Sequence, residues 1–358
     1  MKIVFAGGGT FGSVIPLLAL AEKIKEETSK DSCEFLWLGT RTGPEKFLIK
    51  NYQIKFQPIF SGKFRRYFSF KNILDIFKIF IGFFQSFFIL QKFKPDVIVS
   101  AGGFVSFPVV IAGWCLKIPA LIHQQDIVPS LTNKLLSPFA QKITVVFEKS
   151  LKDFPRKKTI LIGNPVRQEI FQGKKERAIS GFQLEKDLPV ILIIGGGTGA
   201  LRINQLVVQS LPELVKFCQI IHLTGGKLKK EGLTKFSRYH SYDFLTDRMK
   251  DALAAADLVI SRAGLSTLTE LSFSGKPTIL IPISNSHQEK NAQYFQERGA
   301  AVVLPEKNLT PDKFVEEIRK ILFDQSKLNE LSERIKTMIK SGAEDRMIKI
   351  IFSLIKND

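Results

Sequence analysis

One phrase occurs twice in this chain and limits the possible folds more than any other feature. KIVFAGGGTFG begins at residue 2, and VILIIGGGTGA begins at residue 190. Each is a short apolar run that ends in three glycines and leads into a segment with helical spacing of apolar residues. A buried strand, a glycine turn and a helix in that order are typical of the start of a nucleotide-binding α/β domain. The repeat therefore predicts two Rossmann-like halves.

Short apolar runs alternate with longer helical patterns along both halves, which predicts parallel sheets with crossover helices. In the first helical segment Leu17, Leu18 and Ile24 recur at helical spacing. The predicted strands are KIVFA, FLWLG, DVIVSAG, PALIHQQ and KITVVF in the first half, and PVILII, QIIHLTG, DLVISRAG, PTILIPI and AAVVLP in the second.

The length of 358 residues favours two domains over a single core. The motif LIGNPVR ends the first half, so we place the first domain at residues 1–162 and the second at residues 163–340. A cleft between two such domains is the expected ligand site.

Cysteine content and charge restrict the compartment and the partners. Cys33, Cys115 and Cys218 lie far apart and form no close pair of the kind that binds zinc, which indicates a reducing cytoplasm. The chain starts with a strand-like run, so we expect no signal peptide. The net charge of +18 indicates attraction to anionic lipid, nucleic acid or phosphorylated substrates. The sequence contains no nucleic-acid recognition module, so we expect no nucleic acid partner.

Residues 63–94 are rich in phenylalanine, with basic residues at both ends. The most apolar part, residues 73–90, contains Asp75, Lys78 and Gln85. A membrane span needs about 20 mostly apolar residues, and a central charge costs roughly 2.5 to 3.5 kcal/mol, so we reject a transmembrane helix. We expect an interfacial helix on an anionic membrane surface, or else an ordinary crossover helix. In the interfacial reading, Arg65, Arg66 and Lys71 would meet anionic lipid.

Three glycine loops end predicted strands: GGGTFG at 7–12, AGGFVSFP at 101–108 and GGGTGA at 195–200. Such loops direct backbone N–H groups and the positive end of a helix toward an anion, although glycine also serves tight turns for steric reasons alone. None has the dinucleotide pattern GxGxxG with a following acidic residue, and no GxxxxGK[ST] loop occurs. Neither NAD nor ATP is favoured, and we expect no cofactor.

The run SRAGLSTLTEL, which follows the apolar strand DLVI, is the most informative motif. Gly264, Ser266 and Thr267 would form a helix N-terminus able to receive a phosphate. Glu270, one turn further, could accept two hydrogen bonds from a ribose diol. Gln288 and Asn291 lie three apart on one helical face and suit sugar hydroxyls. The alternative is an ordinary capped helix with surface polar residues.

Eight motifs are spread in order along most of the chain: AGGGTFGSVIPLLALAEKI, SAGGFVSFP, IPALIHQQDIVPSLTNKLL, IGNPVR, GGGTGALRIN, DFLTD, ADLVISRAGLSTLTEL and HQEKNAQYF. Together they resemble the motifs of the MurG family of glycosyltransferases. The resemblance implies an α/β fold of GT-B architecture, in which two Rossmann-like domains face a cleft. It also implies that a C-terminal helix at residues 341–358 packs back on the first domain.

The same resemblance implies an inverting, metal-independent enzyme at the cytoplasmic face of the cell membrane. Its donor would be UDP-GlcNAc, and its acceptor would be the C4 hydroxyl of MurNAc in lipid I, an undecaprenyl-diphosphate-linked muramyl peptide. The product would be lipid II for peptidoglycan synthesis.

Site residues follow from the resemblance motif by motif. Glu270 would hold the ribose, Leu245 would meet uracil through its backbone, and Gln288 would contact the GlcNAc hydroxyls. The other expected donor contacts are Arg167, Gly197, Thr198, Gly264, Leu265, Ser266, Thr267, Leu268, Thr269 and Asn291. The expected contacts to the sugar and the acceptor are Thr10, Phe11, Gly12, Gly102, Gly103, Ser106 and Asp126.

This chain departs from the family pattern in its loops. The family's first loop reads GGTGGH, whereas here Phe11 replaces a glycine and Ser13 replaces the histidine. The family's HEQN ends here in Asp126, so a carboxylate stands in place of an amide. Gly197 replaces a serine, and Phe107 replaces a glycine.

Attack by a hydroxyl on the anomeric carbon calls for a base within hydrogen-bond reach. We assign this role to Asp126, because a carboxylate appears at this nearby position in a chain that has lost the histidine at position 13. Ser13 could only position the hydroxyl, and His123 is the second candidate base. Asp126 could instead only hydrogen-bond a sugar hydroxyl. The altered loops leave open a transferase with another lipid acceptor, a UDP-GlcNAc 2-epimerase-like isomerase or an inactive binder of UDP-sugar.

Overall fold

The computed structural model describes residues 1–28, 33–43, 45–62, 70–195, 200–228, 232–233 and 235–356, and for residues 70–73 it describes the backbone only. The chain forms two compact units. Unit 1 comprises Met1–Arg167 with Lys340–Asp358, and unit 2 comprises Gln168–Ile339. The first change of unit thus falls a few residues after the boundary drawn from the sequence at residue 162.

Unit 1 contains one parallel sheet between two layers of helices. Its strands are β1 (Lys2–Ala6), β2 (Glu34–Thr40), β3 (Lys55–Ile59), β4 (Val97–Ser100), β5 (Ala120–Gln124), β6 (Lys142–Val145) and β7 (Thr159–Leu161), in the order β3-β2-β1-β4-β5-β6-β7. Its helices before the change of unit are α1 (Ile15–Glu27), α2 (Glu45–Asn51), α3 (Phe70–Phe93), α4 (Ser106–Cys115) and α5 (Leu131–Leu136), with short 3-10 turns at Glu148–Asp153 and Arg156–Lys158.

Unit 2 repeats this plan with a smaller sheet. Its strands are β8 (Val190–Ile194), β9 (Gln219–Leu223), β10 (Tyr239–Tyr242), β11 (Leu258–Ser261), β12 (Thr278–Leu280) and β13 (Val302–Val303), in the order β10-β9-β8-β11-β12-β13. Its helices are α6 (Lys175–Phe182), α7 (Leu201–Leu214), α8 (Met249–Ala255), α9 (Leu265–Ser274), α10 (His287–Gln296), α11 (Pro311–Leu322) and α12 (Gln325–Lys336), with 3-10 turns at Gln168–Gln172 and Glu306–Asn308.

The last helix, α13 (Ala343–Lys356), belongs to unit 1. Its buried side chains Met347, Ile351 and Leu354 join the core that also contains Leu17 of α1 and Ile3 of β1. This confirms the prediction that the C-terminal helix returns to the first domain. The helical stripe predicted for α1 is also confirmed, since its apolar residues are buried in the same core.

The strand order of each sheet reverses at one point, next to β1 in unit 1 and next to β8 in unit 2. In unit 1, β1 pairs with β2 on one side and with β4 on the other. In unit 2, β8 likewise lies between β9 and β11. Open α/β sheets bind ligands at the carboxyl ends of the strands where the order reverses. The glycine loops at 7–12 and 101–108 flank this point in unit 1, and the loop that follows β11 lies there in unit 2. Residues 196–199 of the third glycine loop lie outside the described residues.

Candidate functional site

Two glycine loops meet at the switch point of unit 1. They follow β1 and β4, which pair with Ala6 opposite Ser100. Gly102 and Gly103 have φ values of +85° and +82°, a conformation that favours glycine. A Cβ on Gly103 would lie 3.2 Å from the carbonyl oxygen of Gly8. The loops therefore pack closely only because both are built of glycine.

Ser106 supports the second loop from inside. Its Oγ lies 2.6 Å from the Gly102 carbonyl oxygen and 3.1 Å from that of Ala6, and it accepts a hydrogen bond from Ser100 Oγ at 2.6 Å. The residue is fully buried. Because its side chain is fully buried and bonded within the loop, Ser106 has an internal role in place of the predicted substrate contact.

The tip of the first loop is open to solvent. Thr10 and Gly12 are exposed and Phe11 is half-buried, so these predicted residues can meet a ligand. Ser13 is buried, and its hydroxyl donates to the Gly8 carbonyl at 3.5 Å. Ser13 therefore supports the loop from within. Because its hydroxyl is buried, it does not suit the predicted role of positioning a substrate hydroxyl.

The two candidate bases differ in accessibility. His123 is fully buried, with Nδ1 2.9 Å from Thr144 Oγ1 and Nε2 2.8 Å from Asn164 Oδ1. Burial lowers the pKa of His123 to about 4, although its hydrogen bonds oppose that shift. His123 is thus a structural residue and not the base. Asp126 is half-buried, just beyond the end of β5.

Arg167 follows a segment that is firmly held within unit 1. The amide of Val166 donates to Glu344 Oε1 at 2.5 Å, and Asn164 binds His123. Burial raises the pKa of Glu344, while the bond from Val166 opposes the shift. Arg167 itself is half-buried and ends the first stretch of unit 1.

Two buried polar residues behind these loops were missed by the sequence analysis. Asn133 Nδ2 donates to the His123 carbonyl at 3.1 Å and to Gln124 Oε1 at 2.8 Å. A Cβ on Gly102 would lie 3.1 Å from Asn133 Oδ1, so Asn133 backs the second loop. Glu45 accepts the amide of Gly9 in the first loop. Neither residue belongs to a glycine run, so motif spacing carried no signal for them.

Helix α9 begins at the switch point of unit 2. Gly264 is its N-cap residue, and neither a side-chain cap nor an acidic residue occupies the first turn. First-turn amides have no partner within the helix, and the helix dipole makes this end positive. Ser266 and Thr267 are half-buried beside these amides. The helix start that the motif predicted is present, and the phosphate contact stays a prediction.

Deeper in α9 the predicted contacts separate into two kinds. Leu265 and Leu268 are buried apolar residues, and the Leu268 amide donates to the Gly264 carbonyl. Thr269 is buried, with its hydroxyl on the Leu265 carbonyl at 2.8 Å. Leu268 and Thr269 therefore serve the helix instead of the predicted ligand contact. Glu270 keeps 6% of its surface exposed, one turn beyond the N-terminus.

Helix α10 brings one of its two predicted residues to this place. A Cβ on Gly264 would lie 3.8 Å from Gln288 Nε2, so Gln288 adjoins the start of α9. Asn291 is fully buried and donates to the Ala263 carbonyl at 3.1 Å. Asn291 thus holds α10 against the loop before α9, in place of the predicted contact to a sugar hydroxyl.

The remaining predicted residues lie on loops of unit 2. Leu245 is half-buried after β10, where Asp243 accepts hydrogen bonds from the Gly225 amide and from Thr224 Oγ1. Gly197 and Thr198 lie outside the described residues. Within the described part of the chain, no group of three or more His, Cys, Asp or Glu side chains could hold a metal ion.

A separate feature of unit 1 is the apolar outer surface of α3, which we call the aromatic face. Phe77, Phe80 and Phe88 are 64%, 62% and 63% exposed. The full aromatic face comprises Leu74, Ile76, Phe77, Phe80, Ile81, Phe84 and Phe88. So large an exposed apolar surface is typical of an interaction site.

The other side of α3 is tied to its own domain. Gln85 Oε1 accepts the Phe60 amide at 2.8 Å, and Asp75, with 6% exposure, pairs with Lys78 at 3.2 Å. By length and composition Leu74–Phe93 could cross a membrane, and 22% of its most apolar stretch is buried within the protein. Arg65 and Arg66, and the side chain of Lys71, lie outside the described residues.

Comparisons with known proteins found matches along nearly the whole chain. Family models for the glycosyltransferase family 28 N-terminal and C-terminal domains match residues 3–145 and 190–347. A Clostridium kluyveri protein named UDP-N-acetylglucosamine--N-acetylmuramyl-(pentapeptide) pyrophosphoryl-undecaprenol N-acetylglucosamine transferase is 40% identical over 98% of both chains. A Lachnospira eligens protein of the same name is 38% identical over 100% of this chain and 99% of its own.

Solved structures show the same fold. The crystal structure of Acinetobacter baumannii MurG has a TM-score of 0.73 at 24% identity and covers 98% of this chain and 99% of its own. A UDP-GlcNAc 2-epimerase from Neisseria meningitidis reaches 0.69 at 13% identity, over 99% of this chain and 100% of its own. At these identities the likeness is one of fold, which transferases and epimerases share.

Proposed function

The chain belongs to the MurG family of glycosyltransferases and has both family 28 domains, and from this premise we propose that it transfers GlcNAc from UDP-GlcNAc to lipid I. The acceptor atom is the C4 hydroxyl of the lipid-linked MurNAc, and the product is lipid II for peptidoglycan synthesis. The transfer is a single displacement that inverts the anomeric carbon.

The uncapped N-terminus of α9, with Glu270 one turn inside, is the observation that carries this proposal. The diphosphate of UDP-GlcNAc accepts hydrogen bonds from the first-turn amides and from Ser266 and Thr267. The Glu270 carboxylate accepts from the ribose hydroxyls. Gln288, which adjoins Gly264, binds the GlcNAc hydroxyls.

Proton transfer in the proposed reaction falls to Asp126. The acceptor oxygen bonds to the anomeric carbon as the bond from that carbon to the diphosphate oxygen of UDP breaks. The hydroxyl proton passes to the Asp126 carboxylate, and UDP leaves with the electron pair. The acceptor lies against the exposed tip of the first loop, at Thr10 and Gly12.

Metal independence follows from how the leaving group is stabilised. Preorganised N–H groups, a helix end and an arginine can stabilise the negative charge that develops on UDP. The end of α9 supplies the first two, and we assign the arginine to Arg167.

We place the enzyme on the cytoplasmic face of the cell membrane as a peripheral protein. The aromatic face of α3 offers apolar side chains to the lipid interface, and the chain's net charge of +18 favours anionic headgroups. The lipid-linked acceptor resides in that same surface, so attachment there raises its local concentration.

The decisive experiment incubates purified protein with radiolabelled UDP-GlcNAc and lipid I in detergent, with and without a chelator. The proposal expects labelled lipid II with a β-linked GlcNAc in both samples. Conversion of UDP-GlcNAc to its C2 epimer, with UDP still attached, in the absence of lipid I would instead indicate an isomerase. Transfer to another lipid acceptor but not to lipid I would indicate the related transferase.

A further inference from the structure

Glu45 is a carboxylate buried beneath the first glycine loop. It is fully buried at the start of α2. Its Oε2 accepts the amide of Gly9 at 3.1 Å, and its Oε1 accepts both the amide of Thr40 at 2.7 Å and the Thr40 hydroxyl at 2.5 Å. One carboxylate thus joins the loop after β1 to the end of β2.

The carboxylate lies so close to the backbone of two glycines that it leaves no room for a side chain at either position. A Cβ on Gly8 would lie 2.3 Å from Glu45 Oε1, and a Cβ on Gly43 would lie 2.0 Å from Oε2. Real Cβ atoms do not approach so closely, so the backbone on both sides is shaped around Glu45. A residue needed only to start α2 would not require this fit from the first loop.

Glu45 holds the loop immediately before its exposed tip. Gly9 precedes Thr10, and at the far end of the tip Gly12 accepts a hydrogen bond from Gln125 Nε2 at 2.9 Å. Glu45 and Gln125 therefore fix the two ends of a three-residue segment. The placement of the Thr10 side chain depends on both contacts.

We infer that Glu45 is a positioning residue for the acceptor, an inference that rests on the proposed function. Glu45 itself touches no substrate. By holding the Gly9 amide it sets the loop tip against which the acceptor sugar lies, so its loss weakens the use of acceptor and leaves donor binding in unit 2 unchanged.

The chain offers a matched pair of variants. In Glu45→Gln the side-chain oxygen can still accept from Thr40, but the new NH₂ group then faces the Gly9 N–H. Two donors cannot bond, so the contact to the loop is lost at nearly constant volume. Thr40→Val removes one hydrogen bond from the other oxygen of the same carboxylate and leaves the Gly9 contact in place.

Steady-state kinetics and hydrogen exchange on the full chain test the inference. We expect kcat/KM for lipid I to fall by about tenfold or more in Glu45→Gln, because a hydrogen bond to a charged group is lost, with the KM for UDP-GlcNAc within about twofold of wild type. Thr40→Val should keep both constants. Amides of the first loop should exchange faster in Glu45→Gln only.

An unchanged kcat/KM for lipid I in Glu45→Gln would overturn the inference. An equal fall of this constant in both variants would also overturn it, because Glu45 would then have only a folding role. If wild-type protein fails to use lipid I, the proposed function fails instead. In that case the exchange data decide alone, and equal protection of the first loop in both variants rejects the role of Glu45.

Discussion

Gln125 donates from Nε2 to the carbonyl of Gly12 over 2.9 Å, although 113 residues separate the two in sequence. This bond joins the loop after β5 to the tip of the loop after β1. Asp126 follows Gln125 directly, so a carboxylate stands at the same end of the sheet as Thr10 and Gly12. The bond therefore holds the residue before Asp126, our proposed base, against the loop to which we assign the acceptor.

Replacing Asp126 by Asn tests the assignment of the base. General-base catalysis contributes roughly 10² to 10⁴ in rate, so we expect kcat for lipid II formation to fall within that range. The KM for UDP-GlcNAc should stay near the wild-type value, because the contacts proposed above for ribose, diphosphate and GlcNAc lie on α9 and α10. Asp153→Asn, at an exposed position of unit 1, is the control. Near-normal turnover of Asp126→Asn would reduce Asp126 to a hydrogen-bonding role.

Replacing Glu270 by Gln tests the ribose contact. The amide keeps the size of the side chain but lacks the charge and presents only one good acceptor to the diol. We expect the dissociation constant of UDP, measured by calorimetry, to rise by about tenfold. Glu333→Gln, on the outer surface of α12, should bind UDP as wild type does. Unchanged affinity in Glu270→Gln would refute the contact.

The double variant Phe80→Ser and Phe88→Ser tests the aromatic face of α3. Burial of each phenylalanine is worth about 1.5 to 3 kcal/mol, so binding to vesicles that contain anionic lipid should fall at least about tenfold in a sedimentation assay. Phe47→Ser is the matched control, since Phe47 is 70% exposed on α2 of the same unit. An equal loss in the control, or no loss in the double variant, would reject membrane contact through α3.

His123 predicts a pH dependence of stability. Its pKa is about 4 in the folded protein against 6.5 ordinarily, chiefly because of burial. Between these values the unfolded chain binds a proton that the folded chain excludes, so the free energy of unfolding falls as the pH drops, by about 2 kcal/mol from near pH 7.5 to near pH 5. Urea unfolding at both values should show this slope reduced in His123→Gln. An identical slope in the variant would contradict the assignment.

What the sequence could determine was set by local pattern. Inner strands such as β1, β4 and β8 are buried on both faces, so each appears as an unbroken apolar run, and every strand predicted in this way is present. The strands missed are β3, β7 and β10, which lie at sheet edges and are partly exposed. An edge strand needs no apolar run and even tolerates Pro58 in β3.

The candidate site likewise has features that local sequence pattern predicted and features that only tertiary contacts decided. The glycine loops and the start of α9 could be predicted because a strand, a turn and a helix are consecutive in the chain. Whether a polar side chain serves a ligand or the protein was decided by the tertiary structure alone. Ser106 binds Ala6 across 100 residues, and Glu45 binds Gly9 across 36. A buried polar atom must find a partner wherever the fold supplies one, and that partner's distance along the chain leaves no periodic trace in the sequence.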